Sequence, residues 1–182
     1  ELQTILIKNY PKHTKRKSYS KKHLKKVAKI SREYNVIIIS DEIYSLINFS
    51  DHTHYSMAEF YPEGTLITGG LSKDRSLGGY RFGVMVVPKE NLQLIKAIKS
   101  IGSETWSCVP DPIQYAALEA YEPSEDVIQY IQDCTQIHET ISRYMYKELT
   151  KHPKIHCCRP KGAFYLYPNW NNYRSGLKEK GI

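Results

Sequence analysis

The sequence lacks several features that would assign it to a membrane, secreted or metal-binding class. No apolar run approaches the roughly 18 residues that a membrane span needs, and no secretory signal opens the chain. His52 and His54 are not accompanied by the further ligands that a metal requires. The cysteines also lack metal-site spacing: Cys108, Cys134, Cys157 and Cys158. These absences predict a cytoplasmic protein with reduced thiols, no membrane contact and no bound metal.

Acidic residues are outnumbered, 19 against 26 lysines and arginines, which gives a formal net charge of +7. Most of the excess lies in residues 8–35. Apolar residues recur there at helical spacing: Leu24, Val27, Ala28 and Tyr34. This spacing places the lysines on the solvent face of an amphipathic helix. A solvated helix face explains the charge better than a nucleic-acid surface does, so no nucleic-acid partner is predicted.

Strand-like and helix-like segments alternate along the chain. The predicted strands are "TILI", "VIIIS", "TLITG" and "FGVMVV", and the run "VIIIS" has the unbroken apolar character of a strand covered on both faces. Helical patterns cover residues 20–34, a stretch around 92–98, and residues 111–121 and 124–152. We expect "KIHCC" and "AFYLYP" to form two further strands joined by "RPKG". This order predicts an α/β fold followed by the start of a smaller domain.

Neither end of the sequence looks like a domain boundary. Glu1 runs directly into a strand-like segment, and the chain stops at "SGLKEKGI" without a closing element. We therefore expect a fragment.

Reactive side chains follow two of the predicted strands. The strand "VIIIS" leads into "DEIY", with Asp41 and Tyr44, and the strand "TLITG" leads into "GGLSKDRSLGGYRFG", with Lys73 and Arg81. Strands of an α/β sheet end at a shared crevice, so these groups are expected to meet there. An amine for a Schiff base, an anion for a ring nitrogen and a guanidinium for a phosphate suit a phosphorylated aldehyde cofactor.

Each of these residues also has a purely structural interpretation. Lys73 could be a surface lysine in a loop, and Asp41 could cap a helix. Tyr44 could be a core tyrosine, and Arg81 an exposed arginine on a strand.

The same segments resemble the class I aminotransferases, the pyridoxal-phosphate enzymes related to aspartate aminotransferase. The lysine signature of that family is matched by Gly70, Leu71, Ser72, Lys73, Arg81 and Gly83, whereas Phe82 departs from the usual aliphatic residue. Three other segments resemble the family in the same order: residues 20–44, "SCVPDPIQYAALEAY" and "PKGAFYLYP". Four such segments together are far more specific than a single motif.

The resemblance implies a fold and a role for each candidate residue. Lys73 would form the Schiff base with pyridoxal 5'-phosphate and move the proton at the substrate α-carbon. Asp41 would pair with the ring nitrogen, Tyr44 would donate to the phenolate oxygen, and Arg81 would bind the phosphate. The glycines of the signature would let backbone amides approach that phosphate.

The resemblance also implies the domain organisation. Residues 1–139 would be the C-terminal half of the large domain, a mainly parallel sheet flanked by helices. Residues 140–182 would begin a small α+β domain.

The implied reaction of the intact protein is transfer of an amino group between an amino acid and a 2-oxo acid, in a homodimer. A lyase or synthase reaction on the same scaffold, or a non-catalytic degenerate fragment, is the alternative. The family's Asn-Pro-Thr-Gly is replaced by "HTKR", in which His13 could still donate one hydrogen bond. The substrate-carboxylate arginine would lie beyond Ile182, so we expect this chain alone to be inactive.

Overall fold

Four strands form one mixed sheet in a computed structural model that describes residues 4–8 and 19–181. The strands are β1 (Thr4–Lys8), β2 (Ile37–Asp41), β3 (Thr65–Gly70) and β4 (Gly83–Val86). They lie side by side in chain order. β1 and β2 are parallel, as are β2 and β3, whereas β4 runs antiparallel to β3. The predicted mainly parallel sheet is confirmed, and the reversed direction of β4 is an addition to it.

Helices flank this sheet and continue the chain beyond it. They are α1 (Lys21–Glu33), α2 (Leu92–Thr105), α3 (Asp111–Tyr121), α4 (Glu125–Thr150) and α5 (Arg174–Glu179). Ser20 and Ser124 begin α1 and α4 because each hydroxyl accepts a hydrogen bond from a backbone N–H three residues on. The first four helices match the predicted ones, and α5 was not predicted. No helix in the described part of the chain is long and apolar enough to cross a membrane.

The main core lies between α1 and the sheet. Leu24 and Ala28 of α1 are buried in it, together with Ile7, Ile38, Met57 and Tyr61. The predicted amphipathic face is therefore correct for Leu24 and Ala28. It is wrong for Tyr34, whose side chain is 66% exposed. The helix ends at Glu33, so Tyr34 leaves the helical path, and Ser31 takes the buried position on the last turn.

The predicted hairpin after α4 is not formed as expected. Within the described residues the one antiparallel bridge near them joins His156 of the first segment to Asn169, the residue after the second segment. The turn between them pairs instead with the chain that follows β2. Phe49 N donates to Lys161 O at 3.0 Å, and Ala163 N donates to Ile47 O at 2.9 Å. The connection between the two segments is therefore docked on residues 47–49.

Helix α4 passes without a break through the predicted domain boundary at 139/140. Its middle contacts the loop after β2, where the Ser50 backbone N and hydroxyl both donate to Glu139, at 2.9 and 2.7 Å. Arg143, one turn further on, forms an ion pair with Asp51 at 3.1 Å. A division into two domains at this point stays a prediction.

Close backbone packing at Gly162 generates the first testable prediction. A Cβ placed there would lie 2.5 Å from Ile47 O, whereas a Cβ at Gly176 in α5 would meet nothing within 4 Å. Gly162→Ala should therefore lower the free energy of unfolding of the full-length protein by about 1–3 kcal/mol. Gly176→Ala, the matched control, should cost nothing because alanine favours helix. Urea unfolding followed by circular dichroism measures both, and equal midpoints for the two variants would contradict the packing argument.

Candidate active site

One edge of the sheet gathers the ends of three strands. The parallel register pairs Asp41, the last residue of β2, with Thr68 near the end of β3. The antiparallel register pairs Gly70, the last residue of β3, with Gly83, the first residue of β4. The chain therefore leaves β2, leaves β3 and enters β4 at the same edge. Asp41, the turn that carries Lys73, and Arg81 all belong to this edge.

Tyr44 lies in the turn after β2 and is buried. The turn is closed by backbone hydrogen bonds from Ser45 N to Glu42 O and from Ile47 N to Tyr44 O. The Tyr44 hydroxyl lies 2.7 Å from the Tyr165 hydroxyl, so the two phenols share a hydrogen bond. A buried tyrosine normally satisfies its hydroxyl in this way. The predicted donation from Tyr44 to a cofactor oxygen requires Tyr165 to be the donor in this pair.

Lys73 lies three residues beyond β3 and is half-buried. Its ammonium lies 5.8 Å from the centre of the Phe164 ring. The same ring meets the Tyr44 ring edge-on, with centroids 5.4 Å apart. The Phe164 ring therefore lies close to both the phenol that follows β2 and the amine that follows β3. Two predicted site residues share one aromatic neighbour.

The departure of the lysine turn from β3 depends on Gly70. A Cβ at this position would lie 2.7 Å from Phe82 O on the adjacent strand connection. Gly79 has open space around it, so packing does not require a glycine there. The left-handed backbone positions of the segment are Ser76 and Arg81, both with φ of 55°. The positive φ angles of this segment are therefore not at its glycines. Close packing requires a glycine at Gly70.

Arg81 lies two residues before β4 and is exposed. One terminal nitrogen of its guanidinium donates to Gly78 O at 2.9 Å, which is a contact within its own loop. The geometry thus places Arg81 at the same sheet edge as Lys73. Binding of a phosphate by this guanidinium stays a prediction.

Glu42, next to Asp41, is the centre of a hydrogen-bond network that was not predicted. Its carboxylate accepts from the hydroxyls of Ser40 at 2.9 Å and Ser56 at 2.8 Å, and lies 3.3 Å from His54 Nε2. The side chain is only 9% exposed. Burial would raise the pKa of Glu42, but the hydrogen bonds from His54, Ser56 and Ser40 together lower it. An ionised carboxylate therefore fixes the loop after β2.

Further residues of the site come from the segment after α4. Phe164 and Tyr165 contact the predicted residues, yet the sequence indicated them only as part of a strand. The His138 ring of α4 also lies 5.0 Å from Phe164. In the sequence, Phe164 and Tyr165 belong to an aromatic run after Gly162. No motif spacing relates this run to Lys73, so the sequence could not connect the two. Tertiary contact alone identifies them.

Two other predictions concern metal binding and the "HTKR" departure. Within residues 4–8 and 19–181 no group of three or more His, Cys, Asp or Glu side chains could hold a metal ion. His54 is part of the Glu42 network. His13 and the rest of "HTKR" lie outside the described residues, so their predicted effect on a cofactor stays a prediction.

The fold agrees with comparisons to known proteins. The chain belongs to the family of class I and II aminotransferases, whose model matches residues 2–182. It is 33% identical over 167 residues to an aspartate aminotransferase of Geobacillus stearothermophilus, and the match covers 90% of this chain and 41% of that protein. The family predicted from the sequence is confirmed.

Two solved structures are similar in fold. An aromatic aminotransferase of Pyrococcus horikoshii matches with a TM-score of 0.80 and 26% identity, over 91% of this chain and 43% of that one. An alanine aminotransferase of Pyrococcus furiosus matches with a TM-score of 0.79 and 28% identity, over 92% of this chain and 42% of that one. The chain therefore spans less than half the length of these relatives.

The Glu42 network generates a pH-dependent prediction. A carboxylate with a lowered folded-state pKa stabilises the protein above its ordinary pKa of 4.5, and this stabilisation is lost as the pH falls through the folded-state value. Glu42→Gln should therefore cost about 1–3 kcal/mol of unfolding free energy at about pH 7 and much less at about pH 3.5. Urea unfolding at both pH values measures the difference, with Glu33→Gln on the exposed side of α1 as the control. A cost that is independent of pH would contradict the network.

Proposed function

We propose that the intact protein is an aminotransferase that moves an amino group between an amino acid and a 2-oxo acid with pyridoxal 5'-phosphate. The observation that carries this proposal is that Tyr44 and Lys73, which follow two adjacent parallel strands, both lie close to the Phe164 ring. Family membership supports the same reaction class. Relatives named as aminotransferases favour amino transfer over the lyase or synthase alternative. They also favour it over a purely structural role.

The donor set of the sheet edge fits the cofactor. Lys73 offers an amine, Asp41 a carboxylate, Tyr44 a phenol and Arg81 a guanidinium, and all four follow or precede adjacent strands at one edge. We propose that Asp41 holds the ring nitrogen, Tyr44 the phenolic oxygen and Arg81 the phosphate. When bound, pyridoxal phosphate supplies an aldehyde that condenses with amines and a ring that withdraws electrons from the substrate α-carbon.

The chain's own residues would carry the proton and orient the reacting groups. We propose the free Lys73 amine as the base that removes the proton from the substrate α-carbon and gives this proton back during the amino transfer. The Asp41 carboxylate favours a protonated ring nitrogen, because an opposite charge stabilises the ionised form. The Tyr44 hydroxyl lies 2.7 Å from the Tyr165 hydroxyl, and when Tyr165 is the donor the Tyr44 hydroxyl proton is left to donate to the cofactor. Phe164 lies close to both Tyr44 and Lys73 and adds an apolar ring to the site.

The proposal gives the substrate as a class only. The relatives described above are named for aspartate, aromatic and alanine substrates. Their folds are nevertheless similar to this one, so the fold does not distinguish among these amino acids. We therefore propose an α-amino acid and a 2-oxo acid as the substrate pair.

We further propose that the protein acts as a homodimer in the cytoplasm. Helices α2 and α3 and the loop between them expose large apolar side chains that a further surface would cover, among them Leu92, Trp106, Tyr115 and Leu118. Cys108 carries an exposed free thiol, which is typical of a reducing compartment. We also propose residues 1–139 as part of a large domain and residues 140–182 as the start of a smaller one.

The amine of Lys73 provides the direct test of the proposed reaction. Borohydride reduction of the cofactor-treated full-length protein should attach the cofactor to the peptide that contains Lys73, as mass spectrometry of the digest would show. Lys73→Ala should lose this label and reduce amino transfer by at least about 100-fold, because the proton-transfer base is removed. Lys96→Ala, on the exposed side of α2, is the control and should keep both. Label on another peptide, or full turnover in Lys73→Ala, would refute the assignment.

The dimer is tested by the mass of the assembled protein. Sedimentation equilibrium of the cofactor-loaded full-length protein should give twice the mass of one chain. Trp106→Glu introduces a charge into the exposed apolar surface and should shift the equilibrium towards single chains. An active enzyme that sediments as a single chain would contradict the proposal.

A further inference from the structure

The turn that carries Lys73 is held by buried residues on both sides of the lysine. Leu71 is fully buried, and Asp74 is buried as well. Leu77 N donates to Leu71 O at 3.1 Å and closes the turn. Lys73 itself is only half-buried. The anchoring of this turn therefore comes from its neighbours and not from the lysine.

Asp74 forms an ion pair with the next residue, Arg75. Arg75 donates from a terminal guanidinium nitrogen to Asp74 Oδ2 at 2.9 Å, and the two side chains are only 8% and 12% exposed. Burial raises the pKa of Asp74, and the adjacent Arg75 charge opposes that rise. Asp74 Oδ1 has no hydrogen-bond partner in the described part of the chain. A buried ion pair adds little stability compared with apolar packing, so its presence here needs another explanation.

Arg75 also joins the turn to α3. Its Nε donates to Ala120 O at 2.5 Å. This carbonyl belongs to the last turn of α3, where carbonyls lack a donor within the helix and attract positive charge. The guanidinium also lies 4.9 Å from the centre of the Tyr121 ring. One side chain thus binds a carboxylate in the lysine turn and two groups at the end of a helix.

We propose that Asp74 and Arg75 are positioning residues that hold the Lys73 amine in place by tying its turn to the C-terminal end of α3. The inference deepens the proposed function and rests on it, because it concerns the reach of the proposed catalytic amine. Asp74 is the next residue after Lys73, so a shift of the ion pair moves the lysine backbone directly. Reacting groups tolerate little displacement: a misplacement of about 1 Å can cost about 100-fold in rate.

The test uses Arg75→Met in the full-length protein, since methionine keeps much of the length and removes the charge. Capture of pyridoxal phosphate by Lys73 is followed by its visible absorbance and fixed with borohydride. We expect capture to slow about tenfold or more, and kcat to fall about 10- to 100-fold, with KM for the amino acid within about twofold. A residue that served stability alone would change neither the capture rate nor this division between kcat and KM.

Arg32 offers a matched control with the same three kinds of contact. It pairs with Glu63 at 2.5 Å, donates to Phe60 O at 3.1 Å and lies 4.9 Å from the centre of the Tyr61 ring. These contacts join α1 to the loop before β3, away from the lysine turn. Arg32→Met should therefore leave capture at Lys73 and kcat unchanged. A loss equal to that of Arg75→Met would overturn the proposal.

Two further measurements cover the cases in which Arg75→Met does not fold or the protein does not capture the cofactor. If Arg75→Met does not unfold cooperatively, Asp74→Asn replaces it, because the amide keeps the shape and removes the charge; wild-type capture and kcat in Asp74→Asn would overturn the proposal. The second measurement is reductive methylation of Lys73 by formaldehyde in the cofactor-free protein, compared with Lys96. If wild-type protein captures no cofactor at Lys73, the proposed function fails. In that case methylation alone decides the positioning role. This role fails too if Lys73 is methylated at equal rates in wild type and in Arg75→Met.

Discussion

The parallel pairing of β2 with β3 is the constraint on which the rest of the site depends. It brings Asp41 and the lysine turn to one edge, because both strands run in the same direction and end together. β4 then starts at this edge and runs antiparallel to β3, and Arg81 lies at the same edge two residues before β4 begins. Had β3 run against β2, the lysine would lie at the opposite end of the sheet from Asp41. The meeting of the candidate side chains at one edge therefore depends first on strand direction and only then on side-chain contacts.

A second constraint is the docking of the segment after α4 against the turn after β2. Backbone hydrogen bonds at Ile47 and Phe49 hold this segment, and Gly162 lets the two backbones approach. Phe164 and Tyr165 are thereby brought against Tyr44 and Lys73. Residues more than 90 positions apart in the chain, such as Lys73 and Phe164, consequently form one cluster. The candidate site therefore belongs to both proposed domains.

Local backbone geometry and buried charge complete the lysine turn. Ser76 and Arg81 adopt left-handed conformations although neither is glycine, which requires the surrounding structure to hold them. In the same turn Arg75 binds the Asp74 carboxylate and the carbonyl of Ala120. Likewise, the ionised Glu42 carboxylate organises the loop after β2 through Ser40 and Ser56. Charged groups beside the proposed catalytic residues, not the catalytic residues themselves, fix the loops of the site.

The sequence by itself determined the family, the order of the four sheet strands and of the first four helices, and the choice of the four candidate site residues, because these depend on local periodicity and on motif spacing. Apolar runs identified β2 and β3, and serine caps preceded α1 and α4. Tertiary structure alone decided the direction of β4, the exposure of Tyr34 and the replacement of a hairpin by pairing with residues 47–49. It also brought Phe164 to Lys73 and Arg75 to α3. Such contacts join residues far apart in the chain, and hydrogen bonding or burial between distant segments leaves no periodic signal in either of them.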